Sequence, residues 1–338
     1  MTSERIEMAK QQRMDASPPP CLVADIGGSN ARFGWAVAGR VSHVRTVAVA
    51  TCGGPVEAAQ AYLDGLAAEL GPGFSWPRRA AFAVATALAG DEVDLINSNW
   101  RFSRSEVQRQ LGLDLLLMLN DFEALALSLP GLQPSQLHAH GPLPNPAGML
   151  AVIGPGTGLG VAGVVQTAQG WLALPGEGGH ASLAPTDDFE SALLAHVRRE
   201  HAHVSAERLL SGIGLPVLHG AVAALIGHAS PCLASERIVE LGLSGADKTC
   251  SQTLDVFCAL LGGFAGSVAL TLGARGGVYI GGGIVPRLAN RFFESDFRQR
   301  FEAKGRLSPY LQSIPTALIT DTLAALGGAA LAIDQHRA

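Results

Sequence analysis

Charged residues are scarce in this chain, and basic ones scarcer than acidic. Asp, Glu, Lys and Arg make up 16% of 338 residues, and 24 basic against 29 acidic side chains leave a formal net charge of −5. No basic run occurs, so the electrostatic footprint of a nucleic-acid binder is missing. Cysteine is rare as well: Cys21, Cys52, Cys232, Cys250 and Cys258 are odd in number, irregularly spaced and without a C-x2-C pair, which argues against both a disulfide framework and a zinc knuckle. The first twenty residues lack the apolar stretch of a secretion signal and read as a polar tail ending in Pro18-Pro19-Pro20. No G-x-x-x-x-G-K-[ST] is present, so a P-loop is excluded. These absences place the protein in the cytoplasm, with neither nucleic acid nor membrane as a partner.

What remains is apolar and rich in glycine. Hydrophobic residues reach 48% and glycines number 41, without a collagen period. Such a chain folds into one large or two medium domains, with many tight turns and close backbone approaches to ligands. The most apolar stretch, Thr253–Ala274, is long enough to span a bilayer. It carries Asp255 and four glycines and runs straight into GVYIGGG, so it reads as a buried core helix.

Two strand–turn–strand signatures organise the chain. CLVADI (Cys21–Ile26) is followed by Gly27-Gly28-Ser29-Asn30 and then by ARFGWAV; the same design returns at MLAVIGPGTGLGVAGVV, Met149–Val165. Apolar runs separated by a Gly-rich turn predict hairpins, and each hairpin opens a stretch of further strands and helices. The pattern predicts a duplicated α/β fold with a cleft between its halves, joined by the Pro/Gly/His-rich segment Pro130–Gly148.

The glycine loops point to phosphate. Gly158–Gly163 matches G-x-G-x-x-G formally, but a dinucleotide site needs a helix directly after the loop; the β-branched VAGVV that follows predicts a strand instead. Bare backbone N–H groups in two Gly/Ser/Thr turns are suited to phosphate oxygens. A third cluster, Gly281-Gly282-Gly283, ends the strand VYI and would let a flat ring lie against the backbone. Polar residues interrupt the apolar background in three places. Asn120-Asp121 ends the strand LLLML; there Asp121 fits either a ligand-facing carboxylate at a strand end or a helix N-cap. Gly176–His180 sets Glu177 and His180 among three glycines. Glu207 opens ERLLSG, read as a short helix whose dipole it would favour. His196, His201 and His203 read as a solvated helix face.

In order along the chain, ADIGGSNARF, LNDFEALALSLP, VIGPGTGLGVAGVV, GEGGHASLAP, ERLLSGIGL, LTLGARGGVYIGGGIVPR and FEAKGRL resemble the bacterial-type glucokinase family, from Leu22 to about Gly328. The resemblance implies a duplicated actin-like ATPase (ribonuclease H-like) α/β fold. Its parts would be a tail over 1–20, a small domain over 21–130 completed by a C-terminal helix within 320–338, and a large domain over 131–319. It implies transfer of the γ-phosphoryl group of ATP to the 6-hydroxyl of glucose with Mg²⁺, and a homodimer. Asp25, Ile26, Gly27, Gly28, Ser29 and Asn30 would form the first phosphate loop, Asp25 holding Mg²⁺ through water. Gly156, Thr157 and Gly158 would form the second, and Gly281, Gly282 and Gly283 would lie along the adenosine. Asn97, Asn120, Asp121, Glu177, His180 and Glu207 would hold the sugar, with Asp121 as catalytic base. The sequence departs from the family where Pro is usual and Ala87 stands, and Ser29 replaces a commoner Thr. A sugar-sensing regulator would need a DNA-binding domain before Cys21, for which twenty polar residues are too few.

Overall fold

The computed structural model describes residues 19–86, 88–95, 98–229 and 232–336. Ala87, Asn97 and all but the end of the expected tail lie outside them. The chain divides into two compact units, one reaching to Ser128 and resuming at Leu323, the other formed by Leu129–Thr322.

In the first unit, strand β1 (Cys21–Ile26) sits mid-sheet, paired antiparallel with β2 (Asn30–Val37) and parallel with β4 (Arg79–Val84). The full order is β3-β2-β1-β4-β7, with β3 at Arg40–Ala48 and β7 at Leu115–Asn120, while β5 (Glu92–Asp94) and β6 (Arg101–Ser103) pair separately as an antiparallel ribbon. A sheet covered on both faces selects continuous apolar strands, and the two-residue period divides β1 between two cores. Leu22, Ala24 and Ile26 join Phe33, Tyr62 and Phe82. Cys21 and Val23 meet Leu326, Ala329 and Ile333 of the C-terminal helix, Ala324–Gln335. That helix also lies against α3 (Asp121–Ser128), where a Cβ on Gly328 would overlap the Ala124 carbonyl; α1 (Pro55–Leu70) and α2 (Arg104–Gln110) complete the unit.

The second unit repeats the plan. Its sheet runs β11-β10-β9-β12-β13-β8, and its first five strands reproduce both the order and the senses of β3-β2-β1-β4-β7. Here β9 is Met149–Pro155, β10 Leu159–Thr167, β11 Gly170–Gly176, β12 Gly277–Ile280 and β13 Thr316–Ile319. The segment Pro130–Gly148, expected as a bare connection, instead supplies β8 (Leu137–Ala139), which pairs antiparallel with β13. Strand β10 starts at Leu159, directly after Gly156-Thr157-Gly158, where a dinucleotide loop would need a helix.

The apolar run is α7 (Lys248–Leu272), flanked in chain order by α4 (Asp188–Val197), α5 (Leu215–Leu225), α6 (Ser235–Ser244) and α8 (Phe297–Glu302). Phe257, Leu261 and Ala265 of α7 are fully buried in the same core as Phe297 and Phe301. By length and composition alone α7 could cross a membrane, but most of it is packed inside the unit. Two expectations for the second unit are corrected. Glu207 lies in a series of turns and α5 starts only at Leu215; of the three histidines only His196 is helical, because α4 ends at Val197.

Candidate active site

The register of the first sheet places its two strand-end aspartates. Ile26 lies opposite Val84 and Val84 opposite Asn120, so Asp25 and Asp121 stand at the same ends of parallel strands with only β4 between. Two strand spacings put their backbones about 10 Å apart. Between β1 and β2 the turn is closed by Gly27 N–H donating to the Asn30 carbonyl at 2.9 Å, and Ser29 and Asn30 are exposed.

Burial shapes both carboxylates. Removal from water raises the Asp121 pKa to about 6, and the Asp25 charge adds to the rise; hydrogen bonds from the Phe122 N–H, its own backbone and Asn120 oppose it. Burial also raises the Asp25 pKa, against the opposing pull of Arg32, whose Nη1 donates to Asp25 Oδ2 at 2.9 Å. A carboxylate whose pKa has moved toward neutrality, at the C-terminal end of a parallel strand, has the character of a proton acceptor.

The helix cap that Asp121 could have supplied is made by its neighbour Asn120. Its Oδ1 accepts from the Phe122 N–H at 2.9 Å while Glu123 Oε2 accepts from its backbone N–H at 3.3 Å, a reciprocal cap on α3. Its Nδ2 donates to the Thr86 carbonyl at 3.2 Å. The cap holds the chain immediately beside Asp121.

In the second unit three segments distant in sequence are tied together. Glu207 Oε2 accepts from the Leu159 N–H at 2.8 Å, and Gly212 N–H donates to the Gly156 carbonyl at 2.7 Å. The Glu207 N–H donates to the Gly179 carbonyl at 2.9 Å, and Ser211 Oγ to the Glu207 carbonyl at 2.7 Å. The second glycine loop, the Gly178–His180 turn and the ERLLSG turns therefore form one braced body. Within it His180 Nε2 lies 3.8 Å from Glu207 Oε1, and the Glu177 backbone carbonyl accepts from His180 N–H at 3.0 Å. Glu177 and His180 are exposed and Glu207 is half-buried.

The third glycine cluster belongs to the same end of the sheet. Gly281 N–H donates to the Ile153 carbonyl at 2.8 Å, and Ile284 N–H to the Pro155 carbonyl at 3.1 Å. Gly282 has φ +75, and a Cβ there would overlap the Pro155 carbonyl, so both backbone angle and space demand glycine. Gly282→Ala is therefore expected to cost about 1–3 kcal/mol through strain at this turn, read as a lower midpoint of denaturant unfolding.

Of the sugar residues expected from sequence, Asn120 and Asp121 adjoin in the first unit and His180 and Glu207 in the second. Asn97 lies outside the described residues. The brace from Glu207 to Leu159 and the capping role of Glu123 were not foreseen. Glu123 stands three residues after Asn120, which is a readable capping signal, whereas nothing in the sequence marks Glu207 and Leu159 as partners.

A glucokinase family model matches residues 22–336. The chain belongs to the glucokinase family. It is 48% identical over 321 residues to a glucokinase of Chromobacterium violaceum, covering 94% of this chain and 90% of that one. Among solved structures, the glucokinase of an Antarctic psychrotroph is 38% identical with a TM-score of 0.86, over 94% of this chain and 99% of that one. A ROK family glucokinase from Streptomyces griseus, solved in complex with glucose and AMPPNP, shares the fold at 18% identity and a TM-score of 0.57, over 94% and 99% of the two chains. The duplicated sheets are thus the two halves of an actin-like ATPase fold, and this glucokinase family member is an enzyme, a glucose kinase.

Proposed function

We propose that this glucose kinase moves the γ-phosphoryl group of ATP to the 6-hydroxyl of glucose, with Asp121 as the general base. The observation that carries the reading is the Asp121 carboxylate: largely desolvated, just past the C-terminal end of the parallel strand β7, with its pKa raised to about 6. Phosphoryl transfer asks a protein mainly for positioning and charge stabilisation. Asp121 accepts the hydroxyl proton as the new O–P bond forms, while Asn97, Asn120, Glu177, His180 and Glu207 hold the remaining hydroxyls. Their carboxylates, amides and imidazole match a ring of alternating donors and acceptors. Residues 25–30 and 156–158 offer backbone N–H groups to phosphate oxygens, and residues 281–283 offer a bare backbone to the adenosine. The glucose and AMPPNP bound by the Streptomyces griseus relative are the ligand pair this reading requires.

Magnesium fits the residues present. Asp25 is a hard oxygen donor beside the first loop, and Mg²⁺ is commonly held by one or two carboxylates together with substrate phosphates and water. Among the described residues no group of three His, Cys, Asp or Glu side chains forms a ready-made metal cage. When bound, the cation supplies charge neutralisation at the phosphate oxygens; Asp25 orients its water shell, and Arg32 holds Asp25 in place. We place the enzyme in the cytoplasm as a homodimer, the second point being open to light scattering.

A coupled assay tests the reading, with glucose, mannose, fructose and N-acetylglucosamine as acceptors and ATP and polyphosphate as donors. Glucose with ATP is expected to give the highest kcat/KM, and a preference for another pair would overturn it. The pH profile follows from Asp121. Below about pH 6 its carboxylate is protonated and accepts no proton, so kcat/KM for glucose should fall about tenfold per unit on the acid side and level above the inflection. An acid limb absent down to pH 5 would remove Asp121 as the base.

A further inference from the structure

We propose that a groove in the second unit binds a carboxylic acid with a short apolar chain, its carboxylate held by Lys304. The groove is a cavity of about 420 Å³ between the β10–β11 hairpin and α7, within the size range of small-molecule sites. Its α7 wall is formed by Gly263, Ser267 and Thr271 and by Phe264, Val268 and Leu272, the four-residue spacing of one helix face. From Gly263 to Leu272 that face runs about 13 Å at the rise of an α-helix.

The two ends of the face differ. Lys304 marks one of them: its Nζ donates to the Gly263 carbonyl at 2.7 Å and to Ser267 Oγ at 3.0 Å, and the Thr186 methyl stands 3.9 Å from where a Gly263 Cβ would sit. At the other end the Leu272 side chain lies 3.4 Å from where a Gly163 Cβ would sit, and Leu174 is the β11 partner of Gly163. Cross-strand partners share a face of the sheet, so Leu174 and Leu272 meet at the end away from the cation. The hydroxyls along the wall are engaged with their neighbours. Ser267 Oγ donates to the Gly263 carbonyl at 3.1 Å, Thr271 Oγ1 to the Ser267 carbonyl at 2.9 Å and Thr186 Oγ1 to Glu190 Oε2 at 2.7 Å. What the groove offers a ligand is an apolar track and one ammonium group.

That ammonium group lacks an anion. No acidic residue lines the groove, and among the described residues Lys304 forms no ion pair. The Glu190 carboxylate is held by Arg300 instead. Burial and the Arg300 charge lower the Lys304 pKa, with the Glu190 charge opposing them, so a carboxylate brought to Nζ would favour the charged form. Lys304 belongs to the FEAKGRL stretch, to which the kinase reading gives no task, and Glu177, His180 and Glu207 do not line the groove.

The test is a ligand-observed NMR titration of octanoate into the full chain, for wild type and Lys304→Gln. Octan-1-ol supplies the chain without the charge, and acetate the charge without the chain. Octanoate is expected to bind wild type with a dissociation constant of about 1 mM or below. Lys304→Gln should weaken it roughly 10–150-fold, the loss of one charged hydrogen bond. Octan-1-ol and acetate should each bind more weakly by about tenfold or more, and saturating glucose should leave octanoate in place. Equal octanoate affinity in both proteins, octan-1-ol or acetate binding as tightly as octanoate, or displacement by glucose would overturn the proposal. If Lys304→Gln does not fold by circular dichroism, Leu174→Asp takes its place: Leu174 is exposed, and the substitution sets a like charge at the apolar end. Unchanged octanoate affinity in that variant counts against the site. Octanoate that binds only as a dimer dissociates in light scattering would show that a second copy of the chain fills the groove, and would also overturn the proposal. Glucose that fails to bind wild type while octanoate binds would sink the sugar reading and keep this site.

Discussion

Asp121→Asn is expected to lower kcat by ~10²–10⁴, the usual contribution of a positioned general base, with the dissociation constant for glucose changed far less. Asn matches Asp in size and keeps an oxygen for the Phe122 N–H, which Asp121 Oδ1 accepts at 3.0 Å, so the start of α3 should survive. What is lost is the basic lone pair. The acid limb of the kcat/KM profile should vanish in the same variant, because the group that titrates near pH 6 is gone. Steady-state kinetics and a glucose titration on one preparation separate the two effects. A variant retaining more than about half of wild-type kcat would show that the proton leaves by another route.

Glu207 should show a divided response. In Glu207→Gln the amide oxygen still accepts from Leu159 N–H, so the brace on the second glycine loop is retained while the charge toward the sugar is lost. KM for glucose is then expected to rise roughly 10–150-fold, the loss of one charged hydrogen bond, with KM for ATP nearly constant. Glu207→Ala removes both functions. It leaves the Leu159 N–H unpaired and opens space beside Gly158, where a Cβ would now press on the Glu207 carboxylate. An unsatisfied amide costs about 1–3 kcal/mol, so the alanine variant should add a rise in KM for ATP to the larger loss for glucose. Equal effects of Gln and Ala on both substrates would show that Glu207 acts only through its charge. Glu177→Gln serves as the comparison: its side chain is not part of the brace, and only glucose should respond.

The large features of this protein follow from local chemistry in the sequence. CLVADI and MLAVIGP are strands because their residues, Asp25 excepted, are apolar and bury both faces of a sheet, and the glycine turns after them permit hairpins that side chains would obstruct. The order of the glycine and polar motifs was enough to identify the family, and Thr253–Ala274 could be read as a core helix because Asp255 and its glycines suit packing better than lipid. The tertiary structure decided the work of individual polar side chains. Asp121 was either a cap or a ligand by its position, and the hydrogen bonds to Glu123 and from Phe122 give the cap to Asn120 instead. Glu207 looked like the first residue of a helix, but its carboxylate accepts from the Leu159 N–H, 48 positions earlier, and pairing with that loop held the segment in turns. Leu137–Ala139 became a strand only because the edge of β13 was open to pair with it. The basicity of Asp121 depends on how much water the folded chain excludes and on Asp25, which stands two strands away. Propensity and periodicity act within a few residues, whereas hydrogen-bond satisfaction and desolvation are settled between segments that only the fold brings together.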